Sequence, residues 1–358
     1  MRLTPGDALT LPTAPLTARP GTPPGVAALA RERRARVVAV FTGGTISMRV
    51  DPAAGGAVPS LTADEILGAA RGVDEVADVR PEAWGRFPGP HMTAERQWAL
   101  RGRIVALLGD PDVDGVVVTH GTDTLEETAY LVARSVASAK PVVFTGAMRS
   151  ASDLGWDGPQ NLLDAVRVAA SAESAGQGTL VVMGSRIFAA LENTKGHTHQ
   201  LDAFEAPGLG PLGLIDDRRV IFRRTLVNAP APIAPPALDG PVDIVGAWAG
   251  SDARLLDASL ASGARGVVVA AMGRGNVPPE MVPGVARWLE AGRPVVVASR
   301  ALRGRVGQTY AYPGGGRKLW EMGALFAGAR RPAQARVDLM LALGAGYDAA
   351  ALRALFDG

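Results

Sequence analysis

Short, uninterrupted apolar runs recur along the chain at Val37–Phe41, Val116–Thr119, Val142–Thr145, Leu180–Met183, Ile244–Trp248, Val267–Ala271 and Val295–Ala298. They are rich in β-branched residues and do not alternate with polar ones, the pattern of strands buried on both faces of a parallel sheet. Helical spacing of apolar residues fills intervals between them, at Leu125–Ala137, Leu162–Ala170, Leu255–Ser262 and Met281–Ala291. Strand and helix in alternation predict an α/β fold built on a doubly wound, mostly parallel sheet. The stretch Asn228–Pro241 holds Pro230, Pro232, Pro235, Pro236 and Pro241. Proline serves neither a central strand nor a helix interior, so residues 228–241 read as a linker. It separates a larger N-terminal α/β domain, 36–227, from a smaller C-terminal α/β domain, 242–358. Residues 1–35, with Pro5, Pro12, Pro15, Pro20, Pro23 and Pro24, read as an irregular arm.

The bulk numbers narrow the function classes. The 358 residues are 47% hydrophobic and 20% charged, with a formal net charge of +2, so a large core is available and a nucleic-acid partner is not expected. Arg31, Arg33, Arg34 and Arg36 cluster ahead of the first strand and read as a solvated run. There is no cysteine, which excludes disulfides, thiolate catalysis and cysteine-ligated metals. No apolar run approaches the ~18 residues that a membrane span needs, and the N-terminal arm lacks the apolar segment of a signal peptide, so a cytoplasmic location is expected. Lysine occurs only at positions 140, 195 and 318, which makes a lysine inside a polar motif more informative than usual.

In open parallel sheets, ligands bind beyond the carboxyl ends of the strands. Three such ends are rich in hydroxyls and glycine: Thr42–Ser47, Thr119–Thr124 and Thr145–Ser150. In the first, Gly43 and Gly44 allow a tight turn and a close backbone approach to a ligand, and would leave Thr45 standing above the sheet. In the second, His120-Gly121-Thr122-Asp123-Thr124 precedes Leu125-Glu126-Glu127. Thr124 and Glu127 fit a capping box, which requires neither Thr122 nor Asp123. A hydroxyl, a carboxylate and a helix N-terminus together suit a small zwitterion. A third element is Asn193-Thr194-Lys195. A threonine hydroxyl is a weak nucleophile until a base removes its proton, and a lysine can be that base when its surroundings lower its pKa. His197 and His199 would share a face on a strand, but no carboxylate or cysteine pattern completes a metal site, and none is expected. His120 reads as a packing or orienting residue.

These segments carry a family resemblance. Val38–Ile46 resembles the first signature of bacterial-type L-asparaginases, and Val117–Ala129 resembles their second. Pro141–Arg149 with Asp157-Gly158-Pro159 and Asn161-Leu162, Thr194-Lys195, and Gly210-Pro211-Leu212-Gly213 are similar to later segments in the same order. The resemblance implies two α/β domains, a homodimer or homotetramer with active sites at a subunit contact, a small-molecule amide substrate and no cofactor. It implies Thr45 as primary nucleophile, Thr122 as the second threonine, Asp123 as the carboxylate holding the substrate amino group and Lys195 as the amine activating Thr122. Gly44, Gly89, Pro90, His91 and Gly121 fall at substrate-binding positions, with oxyanion-stabilising N–H groups near Gly121 and Thr122.

The sequence also departs from the family pattern. The mobile loop after the first threonine usually carries a tyrosine, and Ser47–Ser60 contains none. Where a serine and a glutamine or aspartate commonly hold substrate, this chain has Gly89 and Pro90, neither with a side-chain donor. Gly250 stands where some members place a partner-subunit asparagine, and Gln308-Thr309-Tyr310-Ala311 offers no counterpart to a partner-subunit glutamate. The expected activity is therefore asparagine hydrolysis, with some glutaminase activity a variant of it. An amidase or lactam hydrolase acting on another small amide is the first alternative, and a non-catalytic amino-acid-binding protein is the second. An amidotransferase component delivering ammonia to transfer RNA would carry a larger N-terminal domain than a 35-residue arm.

Overall fold

Central apolar runs become strands here because each meets helices on both faces. The computed structural model describes residues 33–227 and 229–357. Most of the arm expected over 1–35, position 228 of the expected linker and the final residue lie outside the described residues. The N-terminal domain contains β1 (Arg36–Gly43), β2 (Met48–Asp51), β3 (Gly56–Pro59), β4 (Asp78–Phe87), β5 (Gly115–Thr119), β6 (Val142–Thr145) and β7 (Thr179–Met183). It continues through β8 (Arg186–Ala189), β9 (Thr194–Lys195), β10 (Phe204–Glu205), β11 (Gly213–Asp216) and β12 (Arg219–Phe222). Its eight-stranded sheet has the order β12-β11-β8-β7-β6-β5-β1-β4. The five strands from β4 to β7 are parallel, and β8, β11 and β12 extend that sheet in antiparallel pairings.

Helices α1 (Ala63–Ala69), α2 (Val73–Val76), α3 (Ala94–Gly109), α4 (Leu125–Ser135) and α5 (Gly158–Ala170) cover this sheet. Alternate residues of β1 point to opposite cores. Val37, Ala39 and Phe41 pack with Ile66, Val73 and Leu162 of α1, α2 and α5. Val38 and Val40 pack with Leu100, Ile104 and Ala129 of α3 and α4. The sheet is thus doubly wound, as its apolar runs predict.

The smaller C-terminal domain is a parallel four-stranded sheet in sequential order, β13 (Val242–Gly246), β14 (Gly266–Ala271), β15 (Val295–Ser299) and β16 (Leu325–Phe326). Helices α6 (Arg254–Ala261), α7 (Val282–Glu290) and α8 (Gly316–Glu321) pack on one face, and α9 (Pro332–Gly344) and α10 (Ala349–Asp357) on the other. β13 begins and ends two residues before the run expected at Ile244–Trp248, and it ends there because Trp248 turns the chain: its carbonyl accepts from Ser251 N and Oγ.

A buried polar cluster joins α4 to α9. Asp338 is fully buried and accepts from Arg134 Nε at 2.6 Å and from the Tyr130 hydroxyl at 3.1 Å, while Arg330 Nε lies 2.9 Å away. Burial, then the Asp338 charge, pushes the Tyr130 hydroxyl far above its ordinary pKa, so it stays a donor. Removing one partner of a buried ion pair leaves the other charge desolvated. Asp338→Ala is therefore expected to lower the unfolding free energy by about 3–5 kcal/mol, read from urea denaturation; a loss below about 1 kcal/mol would show that Arg134 finds other compensation.

The connectivity creates a crevice. After β1 the chain moves to β4 at the sheet edge; after β5 it moves the other way to β6. The carboxyl ends of β1 and β5 thus flank a topological switch point, where ligands of doubly wound sheets bind.

Candidate active site

Two backbone devices hold the ends of β1 and β5 together. The Thr42 hydroxyl donates to Thr119 O at 2.8 Å. Beyond it, three loops touch glycine to glycine. A Cβ added to Gly44 would fall 2.5 Å from Gly121 Cα, and one added to Gly121 would fall 2.4 Å from Gly89 Cα. Gly44 also has φ +83°, a conformation that side chains resist. The absence of a side chain at Gly44 lets the backbone of the next loop lie directly against it.

Thr45 follows Gly44, opens a short 3-10 turn over Thr45–Ser47 and is half-buried. The segment after it, expected as a mobile loop, forms the β2–β3 hairpin. On the other side of the glycine contact, Thr122 is buried, and its Oγ accepts from Lys195 Nζ at 2.9 Å. The same Nζ lies 2.6 Å from Asp123 Oδ1. Asp123 is exposed, whereas the Lys195 side chain is only 16% exposed, so the amine sits at the floor and the carboxylate at the mouth. A cavity of about 310 Å³ opens over them, lined by Asp123, Glu126, Lys195, Gly196, His197 and Thr198. Thr45 does not line this cavity; it stands across the Gly44–Gly121 contact.

Gly89 lies in the turn Gly89–His91 and is buried, its Cα facing Asp123, whereas Pro90 and His91 are exposed. The capping box expected from Thr124 and Glu127 does not form. Thr124 precedes α4 without a side-chain cap, and its hydroxyl donates to Gly89 O at 2.7 Å, tying the two loops together. The third strand end, Thr145–Ser150, supports rather than lines the cavity. Asp157 accepts from Met148 N and Arg149 N, and Asn161 Nδ2 donates to Gly146 O. His197 and His199 do not share a strand face. β9 ends at Lys195, and His197 Nδ1 accepts from the backbone N–H groups of His199 and Gln200 in a turn.

Sequence reasoning did not single out Glu126. Its Oε2 accepts from the Thr194 hydroxyl and, at 2.7 Å, from Lys195 N.

His120 lies beneath the loop, fully buried, with Nδ1 2.9 Å from Gly121 O. Burial pushes its pKa down to about 4, so the ring is neutral in the folded protein. An unfolded-state histidine titrates near 6.5, so the unfolded chain binds the extra proton between about pH 6.5 and 4. The stability held by the neutral ring is complete above that window and is lost as pH falls through it. Acidification from pH 7.5 to 4.5 is expected to cost about 2.5 kcal/mol through this group. Urea denaturation of wild type and His120→Asn at both pH values measures it; an equal loss in the variant would contradict the assignment.

Comparison with known proteins identifies the family. A family model described as asparaginase, N-terminal, matches residues 36–228, and one described as glutaminase/asparaginase C-terminal domain matches residues 241–356. The chain belongs to the asparaginase family. Among family members, it is 39% identical over 324 residues to a probable L-asparaginase of Deinococcus radiodurans, covering 90% of this chain and 97% of that protein. It is 33% identical to an L-asparaginase of Bacillus licheniformis, covering 86% and 95% of the two chains. The crystal structure of a probable cytoplasmic L-asparaginase from Campylobacter jejuni superposes with a TM-score of 0.80 at 31% identity, covering 90% of this chain and 99% of that one. No helix among the described residues of this asparaginase-family chain is long and apolar enough to cross a membrane.

Proposed function

We propose that this chain is an L-asparaginase that hydrolyses the side-chain amide of L-asparagine to L-aspartate and ammonia. The observation that carries the reading is the contact of Lys195 Nζ with both Thr122 Oγ and Asp123, one glycine contact away from Thr45. Thr45 Oγ attacks the amide carbon, and its proton passes to the departing ammonia. A β-aspartyl ester forms on Thr45, and water then adds to it and releases aspartate, restoring the hydroxyl. Backbone N–H groups near Gly121 and Thr122 stabilise the oxyanion. In the second step Thr122 takes a proton from the attacking water as Lys195 takes the Thr122 proton, the pair returns one to the Thr45 oxygen as aspartate leaves, and Asp123, at the mouth, receives the substrate ammonium. Closure of the hairpin that follows Thr45 brings the nucleophile over the cavity.

The reaction draws on side chains and backbone alone, with no cofactor. We take 36–227 and 242–358 as the two domains, joined by the linker 228–241. The assembly is a homodimer or homotetramer, and the location is cytoplasmic, as described for the Campylobacter relative.

A second reading follows from one feature. Gly89 and Pro90 place no side-chain donor beside Asp123, so no side chain at these positions grips a substrate carboxylate. An amidase or lactam hydrolase acting on a simpler amide would suit that wall. Ammonia release from L-asparagine, D-asparagine, L-glutamine and a panel of simple amides separates the readings. Turnover of asparagine supports the first, activity on simple amides without asparagine supports the second, and no activity with tight aspartate binding would replace both with a binding protein.

A further inference from the structure

A lysine that must reach a threonine across a cavity needs its backbone held, because a four-carbon side chain on a mobile strand samples many positions. The strand carrying Lys195 is only two residues long and pairs with β10 alone. Upstream, Gln334 Nε2 donates to Leu191 O at 2.9 Å and Arg331 donates to Asn193 O, so α9 grips the approach to the strand. Downstream, Gly196 N donates to Ala203 O at 2.7 Å.

A further contact comes from Glu126, in the first turn of α4, three residues after Asp123 and four after Thr122. Glu126 Oε2 takes both the Thr194 hydroxyl and the Lys195 N–H. The lysine backbone is therefore fastened to the helix that directly follows the loop carrying the lysine's own side-chain partners, Thr122 and Asp123. We propose that Glu126 is a positioning residue, a two-point tether between α4 and β9 that sets the distance from Lys195 Nζ to Thr122 Oγ. It acts through Lys195, its Oε2 being taken up by the Thr194 hydroxyl and the Lys195 N–H. The proposal rests on the reading of Lys195 as the group that works on Thr122, and the test separates the two.

Displacement of a reacting group by about 1 Å can cost on the order of 100-fold in rate. Glu126→Ala is expected to lower kcat for L-asparagine by about 30- to 100-fold with KM within about threefold. Glu126→Gln keeps a carbonyl that accepts both hydrogen bonds, and is expected to restore kcat to within about fivefold of wild type. The deciding measurement is a double-mutant cycle with Lys195→Met. If Glu126 works through the lysine, adding Glu126→Ala to Lys195→Met lowers kcat by less than about twofold further. An additive loss, a Gln variant as impaired as the Ala variant, or an Ala variant with normal kcat would each overturn the tether. Should Glu126→Ala fail to fold, Thr194→Val removes one of the two bonds and is expected to lower kcat by about three- to tenfold, with the same non-additivity toward Lys195→Met. A wild-type protein inactive on asparagine would instead defeat the functional reading itself.

Discussion

Thr45→Ala is expected to lower turnover by about three orders of magnitude or more while the protein stays folded, because deleting a nucleophile removes the covalent route altogether. Thr45 is half-buried at the start of a short turn and makes no hydrogen bond through its hydroxyl among the described residues, so truncation removes little packing. The measurement is ammonia release under single-turnover conditions beside a thermal melt. A variant with near-normal kcat would move the nucleophile elsewhere, to Thr122 first. A melt lowered by more than a few degrees would mean that the loss is structural.

Lys195→Met is expected to lower kcat by about 100- to 1000-fold at nearly unchanged stability, the range that a positioned proton-transfer group supplies. Methionine has nearly the length of the lysine stem and fills the same space. The salt bridge lost is to Asp123, whose side chain is 57% exposed, and an exposed partner contributes little to folding. The split between the two readouts decides. Falling stability with falling rate would make Lys195 a structural contact, whereas a rate unchanged within about threefold would remove it from the chemistry.

How far the sequence could be read varied by element, for physical reasons. β1, β5, β6, β7, β14 and β15 were legible because they lie inside sheets, where both faces demand apolar residues. β4 was not. It is an edge strand with mixed exposure along its ten residues and Pro81 within it, and an edge tolerates both. The antiparallel margin of β8, β11 and β12 was missed because its strands are four residues each, too short to establish a period. α3 could have been found: Gln97, Leu100, Ile104 and Leu107 are its buried residues, spaced three and four apart. α9 could not, since it is buried on most sides between the C-terminal sheet and α4 and shows no polar face.

At the site, the strand-end motifs led to the right crevice, since topology assigns ligands to that edge. Local rules failed where tertiary partners competed. Thr124 fits a capping box by spacing alone, but the nearby Gly89 carbonyl takes its hydroxyl. Glu126 sits inside the recognised motif, yet no local rule singles it out, because its partners at positions 194 and 195 are far along the chain.

The abutting glycines at 44, 121 and 89 restrict how such a protein can diversify. Main chain lies directly on main chain there, so inherited variation at Gly44 and Gly121 has no gradual path: even a methyl group on either must displace a neighbouring loop, whereas one on Gly89 would meet Asp123 at 3.3 Å and asks only for a small shift. Selectivity can drift at Gly89 and at the periphery, through Pro90, His91, His197 and Thr198, which are exposed. Any effort to retune substrate preference by laboratory evolution would therefore randomise those positions and leave Gly44 and Gly121 untouched.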